Sequence, residues 1–340
     1  MTTSFASELD PGTTVAADTM FEVRNLKVHF PIREGVIFDK TVGHVKAVDG
    51  VNFTIRRGES LGLVGESGCG KTTIGRCLLK LEPATEGEIL YEGSDIGDLS
   101  SAGAQNYRRK VQAIFQDPYS SLNPRMSVGD IISEPILIHD RTAKFADRAR
   151  RVRELLDICG LPLNLADRFP HEMSGGQRQR VGIARALALR PEFIVCDEAV
   201  SALDVSIQAQ IIRLLEDLRQ EFGLTYLFIG HDLSVVRHMC DRVAIMYLGK
   251  FVEIGDSDVV FSDPKHPYTQ ALLEAVPVPD PDLEAQRGHD FVAGEVPSPR
   301  NPPPGCAFHP RCSMAQDSCR IETPIANTLP DGRRVACPHV

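Results

Sequence analysis

The sequence reads Gly65-Glu66-Ser67-Gly68-Cys69-Gly70-Lys71-Thr72 between a strand-like run, residues 60–64, and a helix-compatible run, residues 71–80. A glycine, four further residues and then Gly-Lys-Thr form the phosphate-binding loop pattern, which requires a strand before it and a helix after it. In such a loop, backbone N–H groups and the helix N-terminus bind phosphate oxygens, the lysine bridges the outer phosphates and the hydroxyl binds magnesium. We therefore predict that nucleotide phosphates bind residues 65–72 and the adjacent Thr73.

A second segment supplies the acidic half of such a site. An apolar run, residues 193–196, ends in Asp197 and Glu198. One carboxylate here can hold magnesium, and its neighbour can polarise a water for attack on a γ-phosphate, work that depends on position and charge. Alone, an acidic pair after a strand is a common solubility feature. After a phosphate loop it predicts Asp197 as a magnesium ligand and Glu198 as a catalytic base.

Composition limits the classes of function that the chain can serve. It has 340 residues, 42% of them hydrophobic and 24% charged, and a formal net charge of −9. That negative charge argues against nucleic-acid binding, which requires a basic surface. Apolar runs are too short to span a membrane, and residues 1–20 lack the features of a secretory signal. We expect residues 1–20 to be disordered, because they contain few large apolar groups.

Periodicity divides the rest of the chain. Strand-like runs cover residues 21–30, 47–55, 60–64, 193–196 and 225–229. Charges at helical spacing, clearest in residues 147–156, predict a helical subdomain inserted at about residues 117–175. Prolines dominate beyond residue 262, so we predict a nucleotide-binding domain over residues 21–262 and a small C-terminal unit, residues 263–340, with a separate core.

The segment Met173-Ser174-Gly175-Gly176-Gln177-Arg178-Gln179-Arg180 resembles the signature motif of the ABC ATPases, with Met where Leu or Phe is more usual. The resemblance implies that Ser174, Gly175, Gly176 and Gln177 open a helix whose N-terminus faces the γ-phosphate held by an opposing subunit. Neither half-site would then be complete without a dimer.

Three further motifs of that family follow in the family's order. They are Gln116 within residues 114–118, the Q-loop; Asp204 within residues 201–204, the D-loop; and His231 within residues 229–232, the switch histidine. The resemblance implies that Gln116 and His231 act with Glu198 in catalysis, that Gln116 also binds magnesium, and that Asp204 acts on the opposing subunit. A lone histidine after an apolar strand is more often structural, so the order of the motifs carries this assignment.

The resemblance also implies a fold and two ligands. The fold is α/β: a P-loop NTPase core of the ABC ATPase type, with an antiparallel β-subdomain, an inserted helical subdomain and a small Cys- and Pro-rich C-terminal extension. The ligands are ATP and Mg²⁺. Phe30 is the candidate for stacking on adenine, although a plain core phenylalanine remains the alternative because residues 31–46 interrupt the alignment of this region.

Finer matches point to one branch of that family. Residues 64–71, 115–125, 266–269 and 305–312 resemble the ATPases of oligopeptide and dipeptide importers, and residues 115–125 are closest to the F-type subunit. The resemblance implies a peripheral protein at the cytoplasmic face of the inner membrane that energises peptide import. It also implies a heterodimer with a D-type ATPase, two permease subunits and an external peptide-binding protein. Nickel or another small solute is an alternative cargo.

Two other functions remain open from the sequence. One is a soluble ABC ATPase that works without a membrane partner, although such proteins usually carry two cassettes or long coiled insertions. The other is a regulatory protein that binds ATP without hydrolysing it. The presence of both Glu198 and His231 argues against the second, because degenerate sites usually lose one of them.

Four cysteines lie within the last 35 residues. Cys306, Cys312, Cys319 and Cys337 are separated by 5, 6 and 17 residues, a spacing that indicates a metal without identifying it. In the importer family this quartet is associated with a four-iron four-sulfur (4Fe–4S) cluster. Zinc and unligated thiols remain the alternatives.

Overall fold

The computed structural model describes residues 18–34, 40–276 and 294–340, which form two β-sheets with surrounding helices. Among these residues the strands are β1 (Thr19–Glu34), β2 (Lys40–Arg56), β3 (Ser60–Val64), β4 (Glu86–Tyr91), β5 (Ser94–Asp95), β6 (Val111–Ile114), β7 (Phe193–Asp197), β8 (Thr225–Ile229), β9 (Arg242–Tyr247), β10 (Lys250–Asp256), β11 (Asn327–Thr328) and β12 (Arg334–Val335). The helices are α1 (Lys71–Leu78), α2 (Ser101–Lys110), α3 (Pro118–Ser121), α4 (Val128–His139), α5 (Phe145–Ile158), α6 (Gly175–Ala186), α7 (Val205–Phe222), α8 (Leu233–Met239), α9 (Ser257–Ser262) and α10 (Pro267–Glu274).

The larger sheet positions the predicted site. Its strand order is β11-β12-β10-β9-β3-β8-β7-β6, and β9, β3, β8, β7 and β6 run parallel. Every residue of β3 and β8 is buried, as expected for parallel strands covered on both faces. Because the carboxyl ends of parallel strands meet at one edge, the residues that follow β3, β7 and β8 converge there.

The smaller sheet is antiparallel, in the order β2-β1-β4-β5, and it packs on the larger one. Phe21 of β1 and Phe193 of β7 are both buried, and their ring centroids lie 4.6 Å apart. Ile74 of α1 belongs to the same apolar cluster. This arrangement confirms the predicted α/β fold with an antiparallel β-subdomain.

Helices α3, α4 and α5 form the predicted insertion between β6 and β7, and they pack on α6. The segment with charge at helical spacing lies inside α5, where Val152, Leu155 and Leu156 are buried and Arg150 is exposed. Arg150 and Arg153 therefore lie on a solvated helix face, as the periodicity predicts. Arg148 and Arg151 are partly buried, and Arg151 donates to the carbonyl oxygen of Leu187 at 3.0 Å.

The folded region begins before its predicted start. β1 starts at Thr19, and Met20 is buried in the core, so the disordered segment expected over residues 1–20 does not extend through these two residues. Residues 1–17 of that segment lie outside the described residues, as do residues 277–293 of the proline-rich region. No helix within the described ranges is long and apolar enough to cross a bilayer.

The C-terminal residues complete the larger sheet. β12 pairs with β10, where Glu253 lies opposite Val335. Arg333, before β12, forms an ion pair with Glu253 at 3.5 Å, and both side chains are buried. Phe308 belongs to the apolar cluster that lies beneath the sheet and the inserted helices. Among the described residues of 263–340, Tyr268 and Phe308 therefore pack into the core of the nucleotide-binding domain and not into the separate core expected for this region.

Candidate active site

The phosphate loop connects β3 to α1 and is enclosed by neighbouring backbone. A Cβ atom on Gly70 would lie 2.1 Å from the carbonyl oxygen of Ala47, and one on Gly65 would lie 2.1 Å from that of Met246. Both glycines have positive φ, 113° for Gly70 and 154° for Gly65. Only glycine satisfies both the conformation and the space at these positions.

Lys71 lies inside this loop. Its side chain is buried, and Nζ donates hydrogen bonds to the carbonyl oxygens of Gly65 at 2.7 Å and Glu66 at 3.0 Å. The ammonium group is therefore held by backbone carbonyls at the place where the sequence predicts phosphate contacts. A phosphate that enters the loop exchanges these neutral partners for charged ones, which form stronger hydrogen bonds.

The predicted magnesium ligands from two elements are in contact. The Thr72 hydroxyl, at the start of α1, donates to Asp197 Oδ1 at the end of β7, at 3.0 Å. Burial raises the pKa of Asp197 above its usual value, and the charge of Glu198 acts in the same direction, whereas the Thr72 hydrogen bond opposes both. Oxygen donors of this kind fit Mg²⁺, which would stabilise the ionised carboxylate.

The three predicted catalytic side chains also converge. Gln116 Nε2 donates to Glu198 Oε2 at 2.6 Å, and His231 Nδ1 lies 3.9 Å from the same oxygen. Glu198 has a φ of 48°, a left-handed conformation that is uncommon outside glycine and recurs at functional sites. Its backbone N–H donates to the carbonyl of Ile229 at 2.9 Å, which ties it to the end of β8.

A small cleft opens beside this cluster. It has a volume of about 90 Å³ and is lined by Glu198, Ser201 and His231 among others. That volume exceeds the space one water molecule occupies. The arrangement can therefore hold a water next to a carboxylate, which is what hydrolysis of a phosphoanhydride requires.

The signature residues begin α6 in the way their sequence predicts. The Ser174 hydroxyl accepts from the Gln177 N–H at 3.3 Å, and Gln177 Oε1 accepts from the Ser174 N–H at 3.0 Å, a reciprocal capping box. Gly176 is buried against α7, where an added Cβ would lie 2.6 Å from Ile207. Asp204 caps α7 by accepting from the Ile207 N–H at 3.1 Å, so the two motifs predicted to act on an opposing subunit pack together.

Phe30 lies apart from the core. It sits on β1 opposite Val45 of β2, and 36% of its surface is exposed. Because its side chain is exposed, Phe30 is not a core phenylalanine, which was the alternative interpretation. Its stacking on adenine stays a prediction.

Sequence reasoning missed the contacts that surround Glu66. Arg311 Nη1 and Nη2 donate to the two carboxylate oxygens of Glu66 at 2.8 and 2.9 Å. The Glu66 N–H donates to the buried Tyr268 hydroxyl at 3.0 Å. Both partners lie in the family-like segments 266–269 and 305–312, but nothing in those segments says which distant residue they contact.

The four C-terminal cysteines are neighbours without forming a ready ligand set. Within residues 18–34, 40–276 and 294–340, no group of three or more His, Cys, Asp or Glu side chains is placed to hold a metal ion. Burial raises the pKa of Cys306, and the charges of the other three cysteines act in the same direction. Cys319 Sγ lies 3.3 Å from His339 Nε2, a neighbour that the cysteine spacing did not reveal. The four thiols thus lie near one another, and a metal site at these cysteines stays a prediction.

Two families match this chain. The ABC transporter family matches residues 48–201, and the family described as the oligopeptide/dipeptide transporter C-terminal region matches residues 252–319. The oligopeptide transport ATP-binding protein AppF of Bacillus subtilis (strain 168) is 51% identical over 326 residues, which cover 96% of this chain and 98% of AppF. The probable peptide ABC transporter ATP-binding protein y4tS of Sinorhizobium fredii is 52% identical, over 95% of this chain and 90% of y4tS.

Solved structures agree with this result. The ATP-binding cassette MJ0796, solved as a dimer in a post-hydrolysis state with ADP and Pi, is 30% identical and superposes with a TM-score of 0.62. The match covers 70% of this chain and 99% of the cassette. The chain therefore belongs to the ABC transporter ATPases, in the branch that carries the oligopeptide/dipeptide transporter C-terminal region.

Proposed function

We propose that this ATPase hydrolyses ATP to energise the import of peptides through a membrane transporter. The observation that carries the proposal is the combination of a full hydrolytic cluster with a C-terminal region of the oligopeptide/dipeptide transporter type. Relatives whose names describe peptide or oligopeptide transport match nearly the whole chain, which supports the same cargo.

The residues of this chain divide the hydrolytic work as follows. The loop N–H groups and Lys71 bind the ATP phosphates, as the buried position of the ammonium group supports. Thr72, Gln116 and Asp197 would hold Mg²⁺, whose charge offsets the charge that develops on the phosphates. Glu198 orients and polarises the attacking water, and Gln116 and His231 keep its carboxylate in place.

We propose that the working unit contains two ATPase subunits. Ser174 is exposed at the start of α6, where the helix N-terminus can face a phosphate bound by another subunit. The dimeric cassette MJ0796 supports this arrangement. The finer proposal is a heterodimer with a D-type ATPase, together with an external peptide-binding protein.

Membrane permeases would be the mechanical partners, at the cytoplasmic face of the membrane. A groove of about 720 Å³ beside Gln116 is lined by the exposed side chains of Leu81, Phe115 and Ile138. A short apolar helix of a permease would fill this groove, and movement of that helix would be transmitted to Glu198 through Gln116.

The two regions of the chain would have different roles. Residues 21–262 would carry the ATPase cycle, and residues 263–340 would carry the cysteine site.

We also propose that Cys306, Cys312, Cys319 and Cys337 hold a 4Fe–4S cluster in a structural role. Their mutual electrostatic influence supports a shared site, although their side chains must rearrange to become ligands. Thiolate ligation would stabilise a segment that contains few regular elements. Nothing in ATP hydrolysis requires a redox step.

Transport is tested with a tagged chain purified from membranes, with mass analysis of the copurifying subunits, followed by uptake of a labelled peptide into cells that lack or carry the gene. We expect two permeases and a second ATPase to copurify, and peptide uptake to require Glu198. Uptake of peptide that is unaffected by Glu198→Gln, or nickel uptake that depends on it, would contradict the proposed cargo.

A further inference from the structure

The contact between Glu66 and Arg311 joins two regions with no obvious relation in sequence. We propose that Arg311 is a positioning residue of the phosphate loop: it neutralises the Glu66 carboxylate and holds it away from the phosphates, so that the C-terminal cysteine segment sets the affinity for ATP. The inference rests on the proposed function of this loop as the ATP site.

The geometry of the pair is that of a strong interaction. Two guanidinium nitrogens meet two carboxylate oxygens at 2.8 and 2.9 Å, a bidentate arrangement that only arginine can form. The Arg311 side chain is 7% exposed and that of Glu66 is 27% exposed. Because solvent screens such a pair weakly, removing one partner leaves a poorly compensated charge.

The turn that carries Arg311 is anchored by hydrogen bonds and aromatic packing. Arg311 ends the short 3-10 turn His309–Arg311, and its N–H donates to the carbonyl of Phe308 at 3.0 Å. Phe308 packs against Tyr268, with ring centroids 5.3 Å apart, and Tyr268 in turn accepts the backbone N–H of Glu66 at 3.0 Å. The same turn therefore holds Glu66 twice, at its carboxylate and, through the aromatic pair, at its backbone.

The charge of Glu66 is the reason that this contact bears on ATP. Glu66 is the second residue of the loop, and its carbonyl oxygen already accepts from Lys71, the residue that must reach the phosphates. An unpaired carboxylate here would repel the phosphates and could accept the same N–H groups that they require. With Arg311 in place, the pair carries no net charge.

A purely structural role predicts a different outcome, so a double-mutant cycle in the full chain separates the two. Equilibrium binding of a fluorescent ATP analogue and steady-state hydrolysis are measured for wild type, Arg311→Gln, Glu66→Gln and the double variant. We expect Arg311→Gln to raise the Kd about tenfold, equivalent to about 1.4 kcal/mol, with KM rising in parallel and kcat within about twofold.

The double variant distinguishes an effect of Arg311 on the charge of Glu66 from a purely structural role. Glu66→Gln leaves the positive charge of Arg311 unpaired beside the loop, so we expect the single variant to bind ATP about threefold more tightly than wild type. The double variant lacks both charges, and we expect its Kd to lie within about threefold of wild type. If Arg311 only anchors the C-terminal segment, the double variant would bind as weakly as Arg311→Gln, and the inference would be overturned. Wild-type affinity in Arg311→Gln would overturn it as well.

Controls make either result interpretable. Arg320→Gln removes an exposed arginine of the same segment and should leave the Kd unchanged. Where Arg311→Gln fails to fold, Arg311→Lys takes its place in the cycle. Lysine cannot bind bidentately, so we expect the Kd to rise about threefold in that variant and to return to the wild-type value when Glu66→Gln is added. A wild-type chain that does not bind ATP would refute the assignment of the loop itself, whereas ATP binding without coupling between residues 66 and 311 would refute only this inference.

Discussion

Replacing Glu198 by glutamine should separate ATP binding from hydrolysis. The amide oxygen can still accept the hydrogen bond that Gln116 Nε2 gives to Glu198 at 2.6 Å, and the backbone contact with Ile229 does not involve the side chain. The substitution thus preserves position and removes only charge and basicity. We expect kcat to fall about 10³-fold, within the range for loss of a general base, which corresponds to about 4 kcal/mol of barrier.

ATP affinity should not fall with it. The charge of Glu198 contributes to the raised pKa of Asp197, so its removal favours the ionised form of that carboxylate and with it Mg²⁺ binding. We therefore expect the Kd for MgATP in the variant to equal that of wild type or to be up to about threefold lower.

The assay pairs two measurements on the same preparations. Single-turnover release of phosphate reports chemistry, and equilibrium binding of a fluorescent ATP analogue reports affinity. Glu221→Gln, which changes an exposed carboxylate near the end of α7, is the matched control and should hydrolyse ATP normally. Hydrolysis by Glu198→Gln within about threefold of wild type would refute the reasoning, because the reaction would then not need the Glu198 carboxylate as its base.

Three further predictions concern the phosphate loop, a buried histidine and the C-terminal cysteines. Lys71→Ala should raise the Kd for ATP at least about hundredfold, measured by equilibrium dialysis, because it removes the buried charge inside the loop; unchanged affinity would show that phosphates bind elsewhere. Burial lowers the pKa of His266 to about 4, whereas the pKa of histidine in the unfolded chain is about 6.5. The free energy of unfolding should therefore be highest above about pH 6.5 and should fall by about 2 kcal/mol by about pH 5, as measured by urea unfolding. His266→Gln should abolish that pH-dependent loss. Anaerobically purified protein should contain iron and acid-labile sulfide, and Cys→Ser at any one of the four C-terminal positions should remove most of both, whereas stoichiometric zinc or four alkylatable thiols would contradict the cluster.

The parts of the site that are contiguous in sequence could be predicted from it. The phosphate loop directly follows the buried strand β3, Asp197 is the last residue of β7 and Glu198 follows it. The parallel sheet brings those strand ends together without further information. The capping box of Ser174 and Gln177 is likewise a local signal.

The contacts that depend on tertiary packing could not be predicted. Arg311 and Glu66 are 245 positions apart, and their pairing depends on how the C-terminal segment folds back along the larger sheet. A proline-rich stretch with scattered cysteines gives no periodicity from which that path could be read. The packing of Phe308 and Tyr268 into the main core could not be predicted for the same reason, because neither residue carries a sign in sequence of which apolar surface it will join.

The arrangement of the site explains why one subunit alone should hydrolyse ATP slowly. The His231 side chain is 62% exposed, and Gln116 and Ser174 also face solvent. In water these groups lose much of their electrostatic effect on a phosphate. Bulk water also competes with Gln116 for the hydrogen bond to Glu198. A second subunit that brings its own α6 N-terminus over the nucleotide would both cover these side chains and add positive potential at the γ-phosphate. Dimer closure would then change the dielectric around residues that are already in place.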